Sequence, residues 1–140
     1  MHGVTFDNKH SFRTWGLFLK VRPEISPPKP QTKLIHVPGT NKIIDLTESL
    51  TGDVRYEPRR IKCIFCVVGG RPNWSAVYSA VLNDVHGKRM KIVMDDDPNY
   101  YYIGRVEVNQ WESEEAIATI VIEADVEPFK YARHGGGRRL

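Results

Sequence analysis

The chain has 140 residues, 41% of them hydrophobic and 26% charged, with a formal net charge of +3. That is enough for one globular domain burying roughly two-thirds of the surface of its unfolded chain, and too ordinary a balance for global disorder. No run approaches the ~18 apolar residues of a membrane span, the two cysteines are too few for a disulfide scaffold and point to synthesis in a reducing compartment, and so mild a positive excess is not the concentrated basic face of a nucleic-acid binder.

Met1 to His10 is polar and carries no apolar signal core. From Trp15 the pattern turns strand-like, with Leu17, Leu19 and Val21 on one face and Phe18 and Lys20 on the other. Residues 23–58 differ in composition, with prolines at 23, 27, 28, 30, 38 and 58. Proline fixes φ and removes a backbone donor, so this stretch is neither a continuous helix nor a central strand. Its apolar patches, Leu34, Ile35 and Val37, then Ile43, Ile44 and Leu46, need something to bury them. The stretch is therefore expected to be a projecting arm with a hairpin around Pro38-Gly39-Thr40-Asn41.

Ile61, Cys63, Phe65 and Val67 alternate with Lys62, Ile64, Cys66 and Val68, which predicts a strand with both faces partly buried. Trp74, Val77, Tyr78, Val81, Leu82 and Val85 recur at spacings of three and four, the stripe of one amphipathic helix. Asn73 is the expected N-cap and Gly87 the residue just past the C-terminus. A short strand with Met90, Ile92 and Met94 on one face follows, then a turn at Asp95-Asp96-Asp97-Pro98-Asn99. Tyr100, Tyr102, Val106 and Val108 define the next strand, and Ala116, Ala118, Ile120, Ile122, Ala124 and Val126 its return, with a polar turn over 109–115 between them. Residues 132–140, with three consecutive glycines, have nothing to pack and are expected to be a flexible end. The sum is one mainly β domain over 1–131, an antiparallel sheet or sandwich (α+β in detail) with one amphipathic helix and a long extended arm at 23–58.

Chemistry is thinly represented. Cys63 and Cys66 sit three apart on a strand, so their sulfurs point to opposite faces, and no second pair completes a zinc set. His2, His10, His36, His86 and His134 are scattered, without an HExxH spacing or a neighbouring nucleophile. No nucleophile elbow, phosphate loop or dinucleotide fingerprint occurs. Asp95 to Asp97 reads as a solvated turn rather than a cation site, since no EF-hand register follows. Tyr100-Tyr101-Tyr102 with Arg105 and Lys91 is an aromatic and basic group of the kind that stacks bases, although alternation turns at least one ring inward. No catalytic residue, cofactor or metal is expected, and the chain reads as non-enzymatic.

The blocks, in order, resemble the N-terminal domain of the distal tail proteins of bacteriophages, the tail-tip hub family of siphophages that infect Gram-positive hosts. The resemblance runs from Val4 to Tyr131 through Val4-Thr5-Phe6, Trp15-Gly16-Leu17, Val37-Pro38-Gly39 and Ile44-Asp45-Leu46-Thr47. It continues through Trp74 and its helix to His86-Gly87-Lys88, then Asp95-Asp96-Asp97-Pro98, Tyr100 to Val106 with Tyr102 and Gly104, and Glu127-Pro128-Phe129-Lys130-Tyr131. It implies a β-sandwich with a helix and a belt-like arm that reaches a neighbouring subunit. It also implies a hexameric ring that joins the tail tube protein to the tail-associated or tail-spike protein. DNA would pass through the ring without specific binding, no membrane would be involved, and the protein would sit at the virion's tail tip after synthesis in the host cytoplasm. Many members of that family continue into a second, carbohydrate-module-like domain, whereas this chain ends soon after Tyr131. Two alternatives stand beside this reading: a tail tube or related injection-machine ring protein on the same scaffold, and a small single-stranded nucleic-acid-binding β-domain using Tyr100 to Tyr102 and Arg105.

Overall fold

A computed structural model describes residues 3–49, 52–114 and 116–140. The chain opens with a tight hairpin of β1 (Val4–Phe6) and β2 (Lys9–His10). Its turn is Asp7-Asn8, with Asp7 at a φ of 54° that short Asp and Asn side chains tolerate. A five-residue helix, α1 (Ser11–Trp15), follows directly. It is too short to show a period in the sequence. What nucleates it is the His10 ring, whose Nδ1 accepts the Phe12 amide proton at 3.2 Å in place of a usual capping side chain. Gly16, at φ 69°, closes it. The strand read from Trp15 therefore begins only at β3 (Leu17–Leu19), and α1 is a second helix where one was expected.

The proline-rich stretch is a two-stranded ribbon. Its strands are β4 (Glu24–Ile25), β5 (Pro30–Gln31), β6 (Leu34–His36), β7 (Ile43–Asp45) and β8 (Arg55–Tyr56). β5 pairs with β8 and β6 with β7, while β4 pairs with β9 (Arg59–Val67). The turn lies at the expected Pro38–Asn41, where the Val37 amide donates to the Lys42 carbonyl at 3.1 Å and Gly39 takes a φ of 74°.

The helix α2 (Trp74–Val85) has the predicted bounds, and Gly87 follows it at φ 77°. The cap differs. A 3-10 turn, Arg71–Asn73, with Pro72 at its start, winds the backbone before α2 begins. Asn73 is therefore already helical and makes no side-chain cap bond. Then come β10 (Arg89–Met94), β11 (Tyr100–Ser113) and β12 (Ala118–Val126). The polar turn expected over 109–115 is mostly strand. β11 runs on to Ser113, with a bulge between Val108 and Gln110 that absorbs Asn109, and Ser113 pairs with Ala118. Glu115 of that turn lies outside the described residues.

Residues 132–140 also depart from expectation. β13 (Lys130–Ala132) pairs with Tyr100 and Tyr101 of β11, and β14 (Arg138–Arg139) pairs back on β13. The guanidinium carbon of Arg138 stands 4.2 Å from the ring centre of Phe129, and that of Arg139 stands 4.1 Å from Tyr100. The expected tail thus has partners: cation–aromatic contacts seat two arginines that a hydropathy reading treats only as polar.

Ten of the described strands form one antiparallel sheet, in the order β2-β1-β10-β11-β12-β9-β3 with β4 beside β3 on β9 and β13–β14 extending from β11. Laid flat, seven strands would span roughly 29 Å at about 4.8 Å per step. Yet the two ends, β2 and β3, are joined through α1, which is only about 8 Å long at 1.5 Å per residue. The sheet must curl so that its ends approach, and the core fills the space inside. Phe6, Leu17, Ile61, Phe65, Ile92, Val106, Ile120 and Ile122 are fully buried there. Trp15 closes the seam. Its ring lies 6.1 Å from Phe6 and its indole N–H donates to Asp84 of α2 at 2.8 Å. The mainly β antiparallel architecture expected from the alternation is the one observed.

Gly104 sits where β11 meets β12. A Cβ there would lie 2.0 Å from the Asp125 carbonyl oxygen and 2.6 Å from the Val126 Cα. Both obstacles are backbone and cannot rotate away. Gly104→Ala is expected to cost at least the ~1–3 kcal/mol of an overpacked site, seen as a lower urea midpoint with an unchanged m-value.

Candidate assembly surface

The arm puts its aliphatic side chains outside. Leu34, Ile35, Ile43 and Ile44 are 49%, 44%, 54% and 47% exposed. Ile35 and Ile44 are direct cross-strand partners on one face of the ribbon, and the register puts Leu34 with Asp45 and His36 with Ile43 on the other. Each face thus carries two large aliphatics. Val37 and Leu46, grouped with them in the sequence, are half-buried. The burial these residues need is not supplied within the chain, and a two-stranded ribbon alone in water is marginal. Contiguous exposed apolar surface on a soluble domain marks an interaction site.

Local bonds stiffen the ribbon. Asp45 accepts from the Thr47 hydroxyl and, at 2.9 Å, from the Thr47 amide. These bonds, the hydroxyl's foremost, hold the Asp45 carboxyl below the usual carboxylate range. At the root, Arg59 donates through Nε to the Ser26 carbonyl at 3.0 Å and through Nη1 to the Pro128 carbonyl at 3.2 Å. Tyr56 of β8 stacks edge-on against Phe129 at 5.9 Å. The C-terminal hairpin therefore packs on the base of the arm.

The remaining residues singled out in the sequence are scattered through the framework rather than gathered into a pocket. Trp74 is buried at the start of α2, and Tyr102 is buried beneath Arg59, whose guanidinium lies 5.6 Å from the ring. Asp97 pairs with Lys130 at 2.5 Å, and Pro98 accepts from Arg133 at 2.9 Å, tying the 95–99 turn to the C-terminal segment. The Tyr131 hydroxyl donates to Glu127 at 2.7 Å, which disfavours its ionisation and raises its pKa. Pro38 and Gly39 sit at the arm's apex, Gly16 and Gly87 at helix ends.

The acidic turn finds protein partners. Asp95 accepts from the Gly3 amide at 2.8 Å and meets His10 Nε2 at 2.9 Å, and Arg22 approaches Asp96 at 3.7 Å. Among the described residues no group of three or more His, Cys, Asp or Glu side chains is arranged to hold a metal. His2 lies outside the described residues. The tyrosine group is likewise engaged by the chain itself. Lys91 lies 4.9 Å from the Tyr101 ring and Lys130 5.2 Å from Tyr100, with Arg139 on that same ring. Only Tyr102 turns inward. A cross-strand arginine, missed in the sequence, organises the outer face: Arg60 reaches Glu107 at 2.6 Å, Asp125 at 2.8 Å and Glu123 at 3.3 Å. Its partners come from two other strands, β11 and β12, so no local spacing announces it.

No protein-family profile matches the chain, and no curated protein does. Among solved structures, the crystal structure of the SPP1 Dit protein (gp 19.1) superposes with a TM-score of 0.68 at 14% identity. The match covers 94% of this chain and 52% of that one, so this chain spans about half the length of the protein it resembles. That protein is presented as a paradigm of the hub adsorption apparatus in Gram-positive infecting phages. At this identity the likeness is one of fold, and it extends over nearly the whole chain.

Two measurements test this local chemistry. Burial pushes the Cys63 thiol up to about 12, so at pH 8 a thiol reagent should leave Cys63 unlabelled in the native protein and label it in denaturant. Asp45 has its pKa lowered in the folded arm, so its bonds to Thr47 are intact at neutral pH and are lost as pH falls through the folded value. The Thr47 amide resonance should therefore titrate with a midpoint below the ordinary aspartate value of 3.8, and should not titrate there in Asp45→Asn.

Proposed function

We propose that this chain is a structural, non-catalytic subunit of a bacteriophage tail tip, a distal-tail hub protein that assembles with copies of itself into a ring. In this reading the ring has six subunits and joins the tail tube protein on one side to the tail-associated or tail-spike protein on the other, with DNA passing through its centre. The observation that carries the reading is the projecting ribbon. It exposes four large aliphatics that this chain does not cover, on a fold shared over 94% of its length with a phage hub protein. A surface of that kind is stable in water when a neighbour covers it, and each aliphatic side chain fully buried there contributes about 1.5–3 kcal/mol. Head-to-tail contacts of unlike surfaces close into rings when their rotation divides a full turn.

The test is the mass of the native chain by light scattering across a concentration series, with negative-stain images of the largest species. Closed rings at six times the chain mass of 16.1 kDa are expected. A monomer at every concentration would overturn the self-assembling ring. Ile35→Asp combined with Ile44→Asp should give a folded monomer, because neither side chain is buried within its own subunit. Replacing residues 27–58 by a two-residue Asn-Gly turn should do the same. Ser26 and Arg59 flank that gap, the Ser26 amide already donates to the Arg60 carbonyl at 3.0 Å, and β4 keeps its place on β9. A ring that persists in either variant would remove the arm from assembly.

A further inference from the structure

Large aliphatics are also exposed away from the arm. At the opposite end of the molecule, Ile117 before β12 and Val68 after β9 are 55% and 48% exposed. They flank the end of the sheet at which β9 and β12 stop pairing, after Cys66–Thr119. Beside them Trp111 of β11 is half-buried, its ring 4.9 Å from Tyr78 of α2. This end is acidic. Glu112 and Glu114 are exposed there. The arm's tip has a small basic excess: Lys33 and Lys42 are exposed and flank its four aliphatics in the sequence, against the one carboxylate of Asp45, opposite Leu34. Among the described residues, none of Lys33, Lys42, Glu112 and Glu114 takes part in an ion pair.

From these features we infer that the acceptor for the arm's tip is the acidic, apolar end of the β11–β12 hairpin on a second copy of this chain. This deepens the ring reading and rests on it. Two features of the molecule choose the occupant. The first is complementarity, since an apolar surface framed by lysines faces one framed by glutamates. Such charges fix register and reject the arm–arm and tip–tip alternatives, where like charges meet. The second is geometry. The arm's strands prolong the β4–β9 ladder outward, through Ser26–Arg60 and Lys29–Glu57 to Pro30–Tyr56. They leave at the Arg59 end of β9, whereas the acceptor lies past its Val67 end, about 26 Å away at 3.3 Å per residue. The ribbon departs from its own acceptor, so a second subunit must provide one. The contact joins unlike surfaces, as a ring requires. Val21, also exposed, stands at the arm's root and lacks the acidic surround.

The test is a charge exchange on the full chain, read as the concentration midpoint of assembly. Lys33→Glu with Lys42→Glu, and separately Glu112→Lys with Glu114→Lys, should each raise the midpoint by roughly tenfold or more. All four substitutions in one chain should bring it back to within about threefold of native. All four side chains are exposed on their own subunit, so melting temperatures measured below the assembly midpoint should match the native chain. Two results would overturn the inference while leaving the ring reading intact: a native midpoint in Glu112→Lys/Glu114→Lys, or a fourfold variant no better than the weaker of the two pairs. A native chain that never assembles would instead remove the ring reading, and this inference with it.

Discussion

Strand β9 is the element on which the rest depends. Its backbone is paired on both sides, by β12 from Arg59 to Cys66 and by β4 and then β3 on the other edge. Antiparallel pairing on both edges leaves it no free hydrogen-bonding capacity over most of its length, and its side chains Ile61, Cys63 and Phe65 point into the core. Because it is held this firmly, it can serve as the fixed base of the arm at one end and border the acidic hairpin tip at the other.

The division of apolar residues follows from that layout. Inside the curled sheet, aliphatics from β1, β10, β11, β12 and β9 meet α2, and among the described residues no buried side-chain nitrogen or oxygen lacks a hydrogen-bond partner. Outside, large aliphatics are exposed at the arm tip and at the far end of the sheet. A folding argument accounts for the first group. The second has no intramolecular account, since nothing in the chain covers it. Charge is arranged with similar economy on the outer face. Arg60 bridges carboxylates of β11 and β12, chiefly Glu107, which raises the pKa of its guanidinium. The pairs are partly exposed, so they tie strands in register more than they stabilise the fold.

The C-terminal hairpin couples two regions far apart in sequence. Phe129 meets Tyr56 at the arm's root and is covered by Arg138, while Pro128 accepts from Arg59. The direction in which the arm leaves the body is thereby set partly by the last residues of the chain.

Period and turn chemistry by themselves determined α2 from Trp74 to Val85, the alternating cores of β9, β10 and β12, and the arm's apex at Pro38–Asn41. Each of these is decided within a dozen residues, by a helical stripe, a period of two, or a proline–glycine turn. The arm's aliphatics, too, were legible as residues in need of a partner. Tertiary structure alone decided the rest. The His10 ring caps α1 because the β1–β2 hairpin places it there. Pro72 begins the winding before α2 and relieves Asn73 of its capping role. Arg138 and Arg139 find aromatic faces presented by Phe129 and Tyr100. Gly104 is required by a carbonyl of β12, 21 residues away in sequence. His10 and Pro72 act on residues one or two positions away through a geometry that no period reports, whereas for Arg139 and Gly104 the deciding partner is far off in the sequence; a single sequence records which residues need partners but not which of them will meet.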